Sequence, residues 1–144
     1  MQNEPTLNAP RSAKGPSVLP FAQHVGLQRG RYGGGSSTWS LEVAPHHINS
    51  TGVVHGGAVF SLADTAMGAA LFSTLDETQI CATIEIKINF FKPVMGGVLQ
   101  CHAVTIHRGK TVANMEANVW LGELLVAKAN GSFAIFQRKP AALA

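Results

Sequence analysis

The chain has 144 residues, which suits one domain with a real hydrophobic core and is short for two. Apolar residues make up 46% and charged residues only 13%, so the chain is globular, and so little charge points to an oligomer. The formal net charge is only +3 and no Lys/Arg run appears, which argues against nucleic-acid binding while leaving a modest positive field that suits a phosphorylated small molecule.

The opening MQNEPTLNAPRSAKGPS is polar and Pro-containing, without the apolar stretch of a signal peptide. Residues 1–15 read as a disordered arm, and Ser17 to His24 suits a short helix. GLQRGRYGGGSSTWSLEVAP predicts two strands around Gly33-Gly34-Gly35, with Thr38, Ser40 and Glu42 alternating against Trp39, Leu41 and Val43. Pro45 closes the second strand, and a loop runs from His46 to Val54.

A helix is expected from Gly56 to about Leu75, a length of roughly 30 Å. Val59, Phe60, Leu62, Ala66, Met67, Leu71 and Phe72 make it apolar nearly all round, so it must be buried on most sides. Small residues at Ala58, Ala63, Gly68, Ala69 and Ala70 let a sheet approach closely. The stretch 53–75 holds His55 and Asp64 and no second span follows, so it reads as a core helix rather than a membrane span.

CATIEIKINFFKP then predicts a period-two strand, with Ile84, Ile86, Ile88 and Phe90 on one side and Thr83, Glu85, Lys87 and Asn89 on the other. Three further strands follow as an antiparallel meander, joined by turns at Gly109-Lys110 and Leu121-Gly122-Glu123. Met115, Ala117 and Val119 alternate with Asn114, Glu116 and Asn118, so one face of the meander is buried. One long buried helix ahead of antiparallel strands implies an α+β chain of the hotdog type, a curved antiparallel sheet wrapped around a central helix. The domain is placed at residues 16–138, with 139–144 as a frayed tail.

His55-Gly56-Gly57 at the helix start offers unpaired N–H groups at the positive end of the dipole. Glycine there lets a carbonyl come close, the geometry of an oxyanion hole. The lone carboxylate of the apolar helix, Asp64, lies eight residues on, roughly 12 Å along the axis. Reacting groups must converge within about 3 Å, so Gly56 and Asp64 cooperate only if they come from two copies of the helix. The expected minimum unit is therefore a two-fold dimer with paired, shared sites.

Asn49-x2-Gly52-x2-His55-Gly56-Gly57, followed by Leu62-Ala63-Asp64, resembles the signature of the PaaI-like (phenylacetic-acid-degradation type) hotdog acyl-CoA thioesterases. The resemblance extends from about Phe21 to Phe136 and includes TIEIKINFFKP and the HRGKT turn. It implies Asp64 as nucleophile or general base, the Gly56 N–H as the group that polarises the thioester carbonyl, and Asn49 as a residue positioning water or substrate. Thr83 falls where such enzymes have a Ser or Thr hydroxyl near the acid. His55 either braces the loop or contacts the thioester. The resemblance maps CoA contacts onto Glu85, Phe90 and the turn Arg108-Gly109-Lys110-Thr111. It implies hydrolysis of an acyl-CoA, an aryl-acyl thioester such as phenylacetyl-CoA being one candidate, to the free acid and CoA. It also implies a homodimer at least, doubled to a homotetramer.

Other chemistries find little support. No Gly-x-Ser-x-Gly, Cys/His pair in a supporting context or Walker-type loop is present. Cys81 and Cys101 lack metal spacing and read as reduced thiols of a cytoplasmic protein; His46 and His47 read as loop residues. No metal or other cofactor is expected, and neither nucleic acid nor membrane as partner. Two rivals are a hotdog dehydratase or hydratase and a non-catalytic acyl-CoA-binding or sensing hotdog protein; residues 1–20 are too short and polar for an appended DNA-binding helix pair.

Overall fold

The structure, a computed structural model, describes residues 19–140; the arm over residues 1–15 and the last four residues lie outside the described residues. A short helix α1 (Pro20–Val25) leads into the hairpin β1 (Leu27–Gly33) and β2 (Ser36–Glu42). Gly34 and Gly35 turn that hairpin at φ 60° and 80°, a region closed to most side chains. A single 3₁₀ turn (Pro45–His47) and an irregular loop precede the long helix α2 (Gly56–Phe72). Four strands complete the chain: β3 (Gln79–Phe90), β4 (Val98–Arg108), β5 (Val112–Leu121) and β6 (Leu124–Gln137). Lys139 and Pro140 continue beyond β6 without regular structure.

All six strands form one antiparallel sheet in the order β1-β2-β4-β5-β6-β3. The chain leaves α2, enters the sheet at one edge as β3, then crosses over to lay β4 against β2. The meander β4-β5-β6 fills the middle, its last turn a two-residue loop with Gly122 at φ 58°. Leu41, Leu99, Ala103, Met115, Ala117 and Val119 are fully buried, and they meet Leu62, Ala63, Ala66, Met67, Ala70 and Leu71 from α2. The period-two and all-round apolar patterns thus become one core, and the architecture is the α+β hotdog arrangement.

Two local features differ from the pattern in the sequence. The helix stops at Phe72 rather than near Leu75, because hydroxyls take its last carbonyls. Ser73 Oγ donates to Ala70 O at 2.7 Å and Thr74 Oγ1 to Leu71 O at 2.7 Å, while Ser73 Oγ also accepts from Gly35 N–H at 2.8 Å. In β3 the alternation breaks: Thr83 pairs with Phe133 and Glu85 with Ser132, leaving Ile84 as an extra residue. A bulge of this kind shifts every later residue by one face. Thr83 therefore shares the helix-facing side with Ile86, Ile88 and Phe90, whereas the strict alternation had put it opposite them.

The two edges of the sheet are unlike. β1 is short and carries Arg29 and Arg31, residues that discourage further pairing. β3 runs 12 residues with Ile84 56% and Phe90 53% exposed, and Phe91 just beyond its end is 48% exposed. Among the described residues no helix is long and apolar enough to cross a membrane.

Candidate active site

The loop ahead of α2 is built by Asn49. Its Oδ1 accepts from Thr51 N (2.9 Å), Thr51 Oγ1 (2.8 Å) and Val53 N (3.2 Å), and its own N–H donates to Val53 O at 2.7 Å. Such a turn needs one residue at positive φ, and Gly52 supplies it at 84°. Val54 N–H then bonds Val94 O and His55 N–H bonds His47 O, each at 2.7 Å, which fixes where the helix begins.

His47 is itself a buried brace. Its Nδ1 accepts from Ala44 N–H at 2.9 Å and its Nε2 lies within hydrogen-bond distance of Val25 O. The reading of His47 as a loop residue is thereby given a physical cause: both ring nitrogens are engaged by the backbone.

His55 is the residue that caps α2. Its backbone is extended (φ −59°, ψ 132°) and its Nδ1 accepts from Gly57 N–H at 2.8 Å. In the neutral ring the proton then sits on Nε2. Ala58 N–H bonds His55 O at 2.9 Å, so two of the first helical donors are satisfied locally. The N–H of Gly56 is not among them, and it has no acceptor among the described residues. Of the backbone donors in His55-Gly56-Gly57, only that of Gly56 is left for a ligand.

Gly56 also lines a cavity of about 390 Å³, together with Val59, Phe90, Lys92, Val94 and Val126. The Phe90 ring packs so close to Gly56 that an added Cβ would lie 3.2 Å from its Cζ. A larger residue at Gly56 would require the Phe90 ring to move. Among these lining residues, Lys92 is one that spacing in the sequence does not single out; only the path of the chain after β3 brings it here.

Asp64 is half-buried on the one face of α2 that the sheet leaves open. Thr83 Oγ1 donates to its Oδ1 at 2.8 Å, a contact made by the bulge at Ile84. Among the described residues Oδ2 carries no hydrogen bond and no cation pairs with the carboxylate. The Asp64–Thr83 pair lies roughly 12 Å along the helix from Gly56. Within one chain the acid and the open N–H therefore do not meet.

The remaining site residues suggested by the resemblance scatter. Glu85 is exposed, opposite Ser132 on the outer side of the sheet. Arg108 lies at the other end of α2, where its Nε donates to Thr74 Oγ1 (3.2 Å) and its Nη2 to Gln79 Oε1 (3.1 Å). Gly109 N–H bonds Val112 O at 2.8 Å and closes the turn, Thr111 O accepts from Ile135 N–H, and Lys110 is exposed. A 17-residue helix spans about 25 Å, so this turn and the Gly56 cavity are far apart in one chain.

Other nucleophile candidates are occupied or suppressed. Ser61 Oγ donates to Gly57 O at 2.7 Å, and Ser73 is spent at the helix end. Burial pushes the Cys101 thiol up to about 12. Among the described residues no three of His, Cys, Asp and Glu gather as a metal-holding group.

Comparison with known proteins gives the family of the chain. Residues 51–128 match the thioesterase superfamily, a span that includes the end of the loop, all of α2 and β3 through the start of β6. A candidate esterase of Saccharolobus solfataricus is 36% identical over 87 residues, 60% of this chain but only 57% of that protein's length. Among solved structures, a conserved protein of Pseudomonas aeruginosa is 38% identical with TM-score 0.80, over 83% of this chain and 95% of that one. A mutant of the phenylacetic acid degradation protein PaaI of Thermus thermophilus superposes with TM-score 0.75 at 24% identity, over 81% and 98% of the two chains, a likeness of fold. The match covers more than half of the sequence and contains the His55 cap, the open Gly56 N–H and Asp64; the chain belongs to the thioesterase superfamily.

Proposed function

We propose that the protein hydrolyses acyl-CoA thioesters to the free acid and CoA, in sites shared between two copies of the chain. One observation carries the reading: the helix holds an unpaired N–H at a cavity and a Thr-bound carboxylate on its open face, one functional half at each position. Superfamily membership supports thioester hydrolysis, and the resemblance of the Asn49–Asp64 stretch to the PaaI-like acyl-CoA thioesterase signature supports CoA esters as the class.

In the proposed step, the thioester carbonyl oxygen sits on the Gly56 N–H, where a helix N-terminus stabilises developing negative charge. Asp64 of the second copy either takes a proton from the attacking water or attacks the carbonyl carbon itself, forming an acyl-aspartyl anhydride that water then hydrolyses to the acid and free Asp64. Thr83 holds Oδ1, which leaves Oδ2 to face the reaction. The C–S bond breaks, the sulfur takes up a proton, and the acid and CoA leave. No metal or redox cofactor enters this step, and a cytoplasmic setting with both cysteines as thiols suits it.

The edge of β3 suits the dimer contact. Long, apolar and unpaired on one side, it invites the same edge of a second chain. Such a pairing runs two helices past each other and brings Asp64 of one toward Gly56 of the other; the Arg108–Thr111 turn then approaches the partner's cavity, where Lys110 would meet CoA phosphates. Doubling to a tetramer is part of the same proposal.

The test is release of free thiol from a panel of acetyl, hexanoyl, benzoyl and phenylacetyl CoA, followed with a thiol reagent. Turnover by the wild type that Asp64→Asn abolishes is the expected result. No thiol release from any member by the folded wild type would remove the hydrolase reading.

A further inference from the structure

The curved sheet does not close. Between its edges β1 and β3 a stripe of α2 stays only half-covered, made by Thr65, Gly68, Ala69 and Phe72 at helical spacing. A second cavity, about 260 Å³, opens along this seam, walled by that stripe, by Tyr32 and Trp39 of the first hairpin and by Cys81 of β3.

Both long walls lead to the acid. Gly68 is four residues after Asp64, one turn along the same face of the helix. Cys81 is two residues before Thr83, and both point to the helix side of β3, since they pair with the inward Ile135 and Phe133. The cavity thus begins where the Asp64–Thr83 pair ends.

Gly68 has no structural need to be glycine. Its φ is not positive, and an added Cβ would meet only Phe133 Cε1, at 3.9 Å. Glycine inside a helix is unfavourable relative to alanine, and no neighbour within the chain requires it at Gly68. On the opposite wall the Trp39 ring, 3% exposed, lines the cavity.

We propose that this seam is the acyl pocket of the chain, with Gly68 setting its depth and the Trp39 ring forming its opposite wall. The proposal rests on the hydrolase reading above and adds which residues select the substrate. An apolar cavity of about 150 Å³ is enough for benzene, so the seam takes a single ring with its linker, or a medium aliphatic chain, rather than a long one.

The experiment compares kcat/KM for phenylacetyl-CoA and acetyl-CoA in the wild type and in Gly68→Leu. The ratio should fall about 10- to 100-fold in the variant, the discrimination that small changes of pocket volume bring. An unchanged ratio, whatever the absolute activity, would overturn the assignment. A separate readout needs no hydrolysis. The chain has two tryptophans, so Trp120→Phe leaves Trp39 as the only emitter, and phenylacetate should shift its fluorescence. Gly68→Leu in that background should abolish the shift, with its thermal melt confirming a folded chain. If the wild type released no thiol but phenylacetate still shifted Trp39, the pocket would stand and hydrolysis would fall. An unresponsive Trp39 in the folded Trp120→Phe chain would overturn the pocket.

Discussion

Thr83 Oγ1 lies 2.8 Å from Asp64 Oδ1, and the two residues are brought together by a one-residue bulge at Ile84. Without the bulge, Thr83 would point away from α2. The acid would then stand on the open face with no donor, and a half-buried carboxylate without a partner is costly.

Asp64→Asn keeps the size of the side chain and removes its charge. Its kcat should fall by about 10²–10⁴, the usual contribution of general-base assistance, with the melting temperature little changed. Thr83→Val should lower kcat by about tenfold, one charge-assisted hydrogen bond's worth, and leave KM nearly as it was. A stable, dimeric Asp64→Asn protein with wild-type turnover would refute the mechanism.

Shared sites make a quantitative claim about mixtures. Asp64→Asn and Gly56→Val chains should each be inactive alone, the second because its side chain displaces Phe90. Refolded together at equal amounts, half of the dimers are mixed and each has one intact site, so about a quarter of wild-type activity should return. Mixtures as inactive as their components, or fully active monomers by light scattering, would mean that the site lies within one chain.

The cap on α2 can be tested apart from catalysis. His55→Ala removes the acceptor for Gly57 N–H and should cost about 1 kcal/mol, seen as a drop of roughly 2–4 °C in Tm. Asparagine is a strong N-cap, so His55→Asn should recover most of that loss. If the alanine variant melted with the wild type, the cap would contribute nothing.

Gly68→Ala should stabilise the protein. The position is mid-helix with room for a methyl group, and the helix preference is about 1 kcal/mol. Calorimetry should show a higher Tm, together with weaker selectivity for ring-bearing acyl groups over acetyl. A lower Tm would mean that the seam is tighter than the 3.9 Å clearance indicates.

Much of this chain is legible from its residues in order. An apolar run with its start marked by His55-Gly56-Gly57, period-two strands and glycines at turns are local patterns, and local sterics and burial enforce them. The helix, the three hairpins and the buried face of β5 follow from those patterns alone, as does the distance between Gly56 and Asp64 along the axis. What the order of residues does not carry is decided by neighbours in space. The bulge at Ile84 exists because β6 sets the register of β3, and register across a sheet depends on both strands. The helix ends at Phe72 because Ser73 meets the β1–β2 turn, 38 residues away in sequence. Where β1 and β3 stop short of each other, α2 keeps an open stripe, and no pattern within the helix marks which face that will be. Its composition is apolar all round, so only the wrapping of the sheet determines that Asp64, Gly68 and Phe72 lie along the gap.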